Sequence, residues 1–397
     1  MEEGYRKISL LELGSLFSIL PMELVMAILL GLPMQHLFTL MRTSKSWKEL
    51  ISSHTFALLH SNSWPFRSSS LTFESCALFR RDWRMMLLSD LGRGAMHRGL
   101  EIEGSWKMTV SHGIVCCMCT GRKNFEMDAF TILNPITGKY TFLPSLSGSS
   151  VLGFGFCFDP RSCNFMVLAI QDWRDYPNGS QIEGRVFDSS TGRWTKLSHE
   201  FEFDVSLIWW SMVSIGLSCW CLTRYDGYAI GFDIAGEKTD KVIVRTPLPL
   251  SPGFPTQEPQ CRILDWEGHV SIARVDTGMK LQVWVLNQGN IWQEVLNLDL
   301  SGVENNWVLN RSPKPYGPAL LLGHMLVLHL FDRLMIFDMR SGGLFGLING
   351  NGYLDHNYLP FKPTLFSWDY GLKIKTVGSL EGSDFFSSCF YGDPSHL

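Results

Sequence analysis

Two cysteine spacings in this chain could hold a soft metal ion, Cys116-x-x-Cys119 and Cys219-x-Cys221. A structural zinc site takes four tetrahedral ligands, usually from two such pairs on suitable turns. No second Cys-x-x-Cys exists, and Cys116 and Cys117 fall on opposite faces if their run is a strand. Core thiols are the better reading, because most of the ten cysteines sit in apolar runs, where a free Cys behaves as a small hydrophobe. His112, His269 and His324 each stand beside a recurring Gly, but at shifted positions, which assigns them to turns and sheet faces and not to one metal-binding ring. A nucleophile elbow, a phosphate loop and a His-Glu-x-x-His helix are all missing. Gly153-Phe154-Gly155 lacks a third glycine and puts aromatic rings where a phosphate would approach. Asp172 and Asp175 read as a solvated turn. The expectation is a non-catalytic chain with no cofactor and no metal.

Chemistry of another kind is available in two loops. Gln171–Asn178 carries Trp173, Arg174 and Tyr176, and Thr223–Tyr228 carries Arg224 and Tyr225. Trp, Tyr and Arg dominate the binding energy of protein interfaces, and loops on a rigid scaffold commonly carry recognition. These five residues are the candidate contacts for a target protein.

The composition fits a large β-rich body. Hydrophobic residues are 45% and charged residues only 18%, with 26 Phe, 14 Trp and 36 Gly. The formal net charge is -4, with no clustered Lys and Arg to track phosphates, so a nucleic-acid partner is not expected. The apolar stretch from Leu24 to Met41 is interrupted by Gly31-Leu32-Pro33, Gln35 and His36, which argues against a membrane span. Met1-Glu2-Glu3-Gly4 is too acidic for the start of a signal peptide, and free cysteines suit a reducing compartment. The expected location is the nucleus, the cytoplasm or both.

Helical spacing is clear only near the start. Pro21 suits a first helical position, and Leu24, Val25, Ile28, Leu29 and Leu32 form one broad apolar face. Gly31 suits a helix end, and Pro33 stops one helix and opens the next. Leu37, Leu40 and Met41 mark a second helix, and Trp47, Leu50 and Ile51 a third that begins near Ser44. Three helices this short cannot bury so many apolar side chains by themselves, so the rest of the chain or a partner must cover the surplus.

The run Leu20-Pro21-Met22-Glu23-Leu24-Val25-Met26-Ala27-Ile28-Leu29, with Leu32-Pro33, Leu37-Phe38, Lys45-Ser46-Trp47-Lys48-Glu49-Leu50-Ile51 and Phe56, resembles the F-box motif. Thr43 stands where that family carries an apolar residue. The resemblance implies a domain over residues 16–60 that binds a Skp-type adaptor, and through it a cullin scaffold. Carried over by position, the adaptor contacts are Leu20, Pro21, Leu24, Ile28, Leu32, Pro33, Leu37, Trp47, Leu50 and Ile51. Residues 1–15 read as a tail. The Ser-rich segment 61–70 reads as a linker, in which Trp64 and Phe66 pin the helices to the large domain.

Residues 71–395 repeat with a period near fifty. Asn134–Tyr140, Asp188–Trp194, Phe232–Gly236, Asn287–Trp292 and Asp338–Phe345 share an acid or amide, a Gly turn and, in four of the five, a following aromatic. Gly138, Gly192, Gly236, Gly289 and Gly342 are 54, 44, 53 and 53 positions apart. A second unit opens at Gly113, Gly216, Gly268 and Gly323, spaced 103, 52 and 55, and 103 is two periods. A four-stranded sheet of this size covers neither of its own faces, so several stack radially. The pattern is similar to kelch-like propellers and to plant F-box-associated repeats, the latter also at Phe154–Pro160. The fold expected is α+β multidomain, a three-helix F-box before an all-β propeller. Six blades are counted from the aromatic turns, including one near Trp83, with seven as the competing count. The Trp83 strand and the segment from Thr364 to Phe390 are expected to complete one blade together. The whole reads as a substrate-recognition subunit of a Skp–cullin–F-box ubiquitin ligase. The alternatives are a propeller enzyme with a site at the ring axis, or a scaffold or transcriptional cofactor.

Overall fold

The structure is a computed structural model. It describes residues 20–32, 34–63, 76–81, 84–88, 96–97, 105–120, 129–134, 137, 139–146, 150–173, 181–197, 212–223, 227–234, 241–247, 261–266, 268–275, 280–299, 315–322, 325–330, 333–339, 341, 343–349, 359–361, 364–368 and 375–376.

Four helices open the described chain, one more than expected. They are α1 (Met22–Leu30), α2 (Met34–Thr43), α3 (Lys45–Ile51) and α4 (His54–Ser63). Pro21 stands just before α1 with an extended ψ of 144°, and Ser44 precedes α3 in the same way. Gly31 ends α1 with φ -86°, so the helix stops without the left-handed turn that glycine favours. Ser53 closes the gap between α3 and α4. Its hydroxyl donates to the Leu50 carbonyl at 2.7 Å and accepts from the Phe56 N–H at 3.2 Å. That local cap starts α4, which runs through Ser63 and so takes in the first residues of the expected linker. Trp64 and Phe66 lie outside the described residues. Among the described residues no helix is long and apolar enough to cross a membrane.

The rest of the described chain is antiparallel sheet. The first strands are β1 (Cys76–Arg81), β2 (Arg84–Leu88) and β3 (Met96–His97). A second sheet follows from β4 (Ser105–Ser111), β5 (Ile114–Thr120), β6 (Ala129–Asn134) and β7 (Lys139–Phe142). The third is β8 (Ser150–Phe158), β9 (Phe165–Trp173), β10 (Gln181–Asp188) and β11 (Arg193–Lys196). The fourth is β12 (Val213–Ile215), β13 (Ser218–Leu222), β14 (Tyr228–Asp233) and β15 (Lys241–Arg245). The fifth is β16 (Cys261–Trp266), β17 (His269–Val275), β18 (Lys280–Leu286) and β19 (Trp292–Asp299). The sixth is β20 (Pro315–Leu322), β21 (Met325–Leu330), β22 (Arg333–Asp338) and β23 (Gly343–Asn349). Two short strands come last. β24 (Leu359–Phe361) pairs with β1 and completes the first sheet, and β25 (Lys375–Thr376) adds a fifth strand beside β7.

These six sheets make a propeller-like body. The end strands β4, β8, β12, β16 and β20 each touch the next, and β24 touches both β20 and β4. The chain's late strand thus joins its early ones, as expected from the incomplete first unit. The joining strand is Leu359–Phe361, a few residues before the segment expected to do it. Positions 82–83 fall between β1 and β2, because Arg81 pairs with Arg84. Trp83 itself lies outside the described residues.

Alternation along the strands explains why they read as unbroken apolar runs. On β13, Cys219 and Cys221 pack toward the third sheet with Cys157, Leu168 and Ile170. Trp220 and Leu222, pointing the other way, pack toward the fifth sheet with Ile263 and Ile272. Leu264 and Ala273 then face Leu326, Leu328 and Phe337 of the sixth. A sheet covered on both faces has no polar side to alternate with.

The repeated turns are held by the hydrogen bonds their residues suggest. At Asp188 the carboxylate accepts from the Ser190 N–H and hydroxyl, both at 2.8 Å, and Gly192 takes φ +67°. At Asn287 the side-chain oxygen accepts from the N–H groups of Gly289 (2.9 Å) and Ile291 (3.0 Å). There the positive φ, 58°, belongs to Asn290 and not to Gly289, a position amides tolerate well. Gly113, Gly216 and Gly268 all have positive φ, so the second repeated unit marks the hairpin between the first two strands of a sheet. The following aromatics tie neighbouring sheets. Trp194 Nε1 donates to the Pro144 carbonyl at 2.8 Å, and Trp292 Nε1 to the Arg245 carbonyl at 2.9 Å. Trp292→Phe keeps an aromatic ring and deletes the donor, so it is expected to cost about 1 kcal/mol. Equilibrium denaturation checks it, with a smaller loss expected than for Trp292→Ala.

Candidate adaptor-docking site

The helical unit divides its apolar residues between two duties. Val25, Leu29, Leu37, Ile51, Phe56 and Ala57 are buried in one apolar cluster with Phe158, Leu365, Phe366 and Trp368 of the sheet body. Leu20, Leu24 and Ile28 stand at successive i, i+4 steps and remain 38%, 52% and 43% exposed. Met22 is exposed beside them. Leu24 and Ile28 make one stripe on α1, Leu20 stands just before the helix, and Val25 and Leu29 lie about 100° round on the buried side. The surplus of apolar side chains is therefore met twice over: part is covered by the chain's own body, and part is left open.

Each sequence-derived contact can be placed against that division. Leu20, Pro21, Leu24 and Ile28 are exposed and form the stripe. Leu32, Trp47 and Leu50 are half-buried and pack against the core cluster. Leu37 and Ile51 are fully buried in the chain's own core. Helical periodicity alone could not tell which apolar face points inward. Pro33, like Arg174, Tyr176, Arg224 and Tyr225, lies outside the described residues. Trp173 ends β9, its backbone opposite Gln181. Met22 and Leu59 are exposed apolar residues of the helical unit that the motif and its periodicity did not single out as contacts.

Two contacts hold the unit's shape. His60 stacks on Phe56 with ring centroids 5.9 Å apart, and its Nε2 lies 3.4 Å from the Leu32 carbonyl, joining α4 to the α1–α2 connection. Thr43 turns its hydroxyl back to the Leu40 carbonyl at 2.8 Å, which explains how a polar residue sits at that helix end. The pair Lys45–Glu49 is solvated, at 3.8 Å, and contributes little.

The thiols belong to the core. Cys116, Cys117, Cys157, Cys163, Cys219, Cys221 and Cys261 are buried and outside any disulfide. Burial pushes the Cys261 thiol up to about 12 and that of Cys163 up to about 11. Hydrogen bonding to Cys219, then burial, hold Cys157 well above its ordinary value. Such thiols carry little thiolate and make poor nucleophiles or ligands. One carboxylate near the helices is shifted the other way. Burial raises Asp159, but hydrogen bonds from Ser162 and the Arg161 N–H outweigh it and leave the carboxyl below its ordinary value.

A small helical unit with an open apolar stripe is thus packed on a propeller-like body. Residues 17–58 match the F-box domain. The F-box protein At1g31000 of Arabidopsis thaliana is 23% identical over 69% of this chain and 70% of its own length. The F-box/LRR-repeat protein At2g43260 of the same plant is 25% identical over 73% of this chain and 69% of its own. Among solved structures, a chain from the nidogen/laminin complex is similar with a TM-score of 0.43 at 12% identity, covering 72% of this chain and 97% of that one.

Proposed function

We propose that this chain is the substrate-recognition subunit of a Skp–cullin–F-box ubiquitin ligase and performs no covalent chemistry itself. The observation that supports the reading is the open stripe Leu20–Leu24–Ile28, which lies inside the segment that matches the F-box domain. A Skp-type adaptor would cover that stripe and bring in the cullin scaffold. The propeller-like body, of kelch-like or plant F-box-associated type, would hold a target through loops that include Trp173, Arg174, Tyr176, Arg224 and Tyr225. Ubiquitin transfer would then gain rate from proximity, a rise in effective concentration that needs no new catalytic group. The compartment that fits is the nucleus, the cytoplasm or both. Co-expression with a Skp-type adaptor tests the reading. A stoichiometric complex that survives size-exclusion chromatography is expected, and separate elution of the two proteins would remove it.

A further inference from the structure

The chain between β24 and β25 passes from an innermost strand of the first sheet to an outermost strand of the second. On the way, Thr364–Trp368 is fastened to the body at several points. The buried side-chain amide of Asn134 donates to the carbonyls of Thr364 (3.0 Å) and Phe366 (2.8 Å). Lys139 Nζ donates to the Ser367 hydroxyl at 2.8 Å. Trp368 packs edge-on against Phe165, with centroids 6.3 Å apart. Phe366 is 1% exposed and lies between two partners, Phe158 of β8 at 5.4 Å and His54 at the start of α4 at 6.4 Å. The His54 ring also sets Nε2 at 3.0 Å from the carbonyl of Pro160, in the β8–β9 turn that Asp159 organises.

We propose that Thr364–Trp368 is an internal strap, with Phe366 and His54 as positioning residues that hold the stripe-bearing helices at one orientation to the propeller-like body. The consequence for ubiquitin transfer, a fixed distance between target and enzyme, rests on the ligase reading; the mechanical claim does not. The connection 64–75 lies outside the described residues. The strap and α4 share one apolar cluster, and such packing transmits position because interiors are close-packed.

The experiment measures distance in the full chain. Spin labels carried on non-canonical residues replace Met22 on α1 and Ile291 before β19, both more than half exposed. The unmodified interface is expected to give one narrow distance distribution. His54→Ala and Phe366→Ala are each expected to broaden it clearly, and Phe366→Leu to restore most of the narrowness. In unlabelled chains, capture of a Skp-type adaptor should stay at the parental level in all three, because none alters the stripe. A broad distribution in the parent chain, or a narrow one in both alanine variants, overturns the strap. Should Phe366→Ala fail to fold, His54→Ala decides, since His54 is exposed and its loss opens no core. A narrow distribution in the labelled parent, with no adaptor captured by the unlabelled parent, supports the strap and removes the ligase reading.

Discussion

Leu24→Asp combined with Ile28→Asp is expected to abolish capture of a Skp-type adaptor while leaving the chain folded. Both side chains are about half exposed, whereas Val25 and Leu29, each one position further along α1, are buried. Truncating an interface anchor typically costs 2 kcal/mol or more, so two anchors together lower affinity on the order of a thousandfold. A carboxylate buried under a partner adds a desolvation penalty that an alanine would not. The free chain does not bear that penalty, because in it both positions face water. Titration by calorimetry checks the first half, and an unchanged thermal midpoint checks the second. Retained capture at the parental affinity would sink the docking stripe. Trp47→Ala is a poorer test, because Trp47 packs against the core cluster and its loss confuses binding with folding. Deleting residues 1–60 is poorer still, because it strips Val25, Leu29 and Phe56 from a cluster shared with Phe158 and Phe366.

The second large effect concerns the seam between the third and fourth sheets. A Cβ built on Gly155 would lie 2.7 Å from the Cβ of Cys219 and 2.9 Å from the Sδ of Met212, with the Cys219 Sγ closer still. The Cys219 Cβ is fixed by its strand and cannot rotate away, so the sheets must part. Overpacking of this kind costs about 3 kcal/mol. At the usual unfolding entropy per residue that lowers the melting midpoint by about 5 °C for a body of this size. Gly155→Ala should therefore melt clearly earlier than Gly192→Ala. Gly192 has open space around it and loses only about 1 kcal/mol to its positive φ. Adding Cys219→Ala to Gly155→Ala should recover part of the loss by removing the nearest atom. Equal midpoints for the two glycine variants would contradict the close approach.

Sequence by itself determined the local elements and their repetition. Apolar residues at helical steps, Pro21, and the Ser44 start located the first three helices. The fourth was not legible, because His54–Ser63 carries few apolar residues in helical register and is started by the Ser53 cap. The acid-turn-glycine units and the aromatics Trp194 and Trp292 were legible because hairpin chemistry is local and repeats. The alternation of β13 toward two neighbouring sheets follows from the same short-range rules.

Tertiary structure alone decided which side of each element is covered. Periodicity grouped Leu24 with Val25 and Leu29 on one apolar face, but only the approach of the sheet body separated the exposed stripe from the buried row. It also turned Leu37 and Ile51 inward. The strap was out of reach for the same reason. Asn134 and Thr364 are 230 positions apart, and nothing in either segment announces the other. Short-range preferences fix backbone conformation residue by residue, whereas burial is settled by contacts between segments that meet only after the chain has closed on itself.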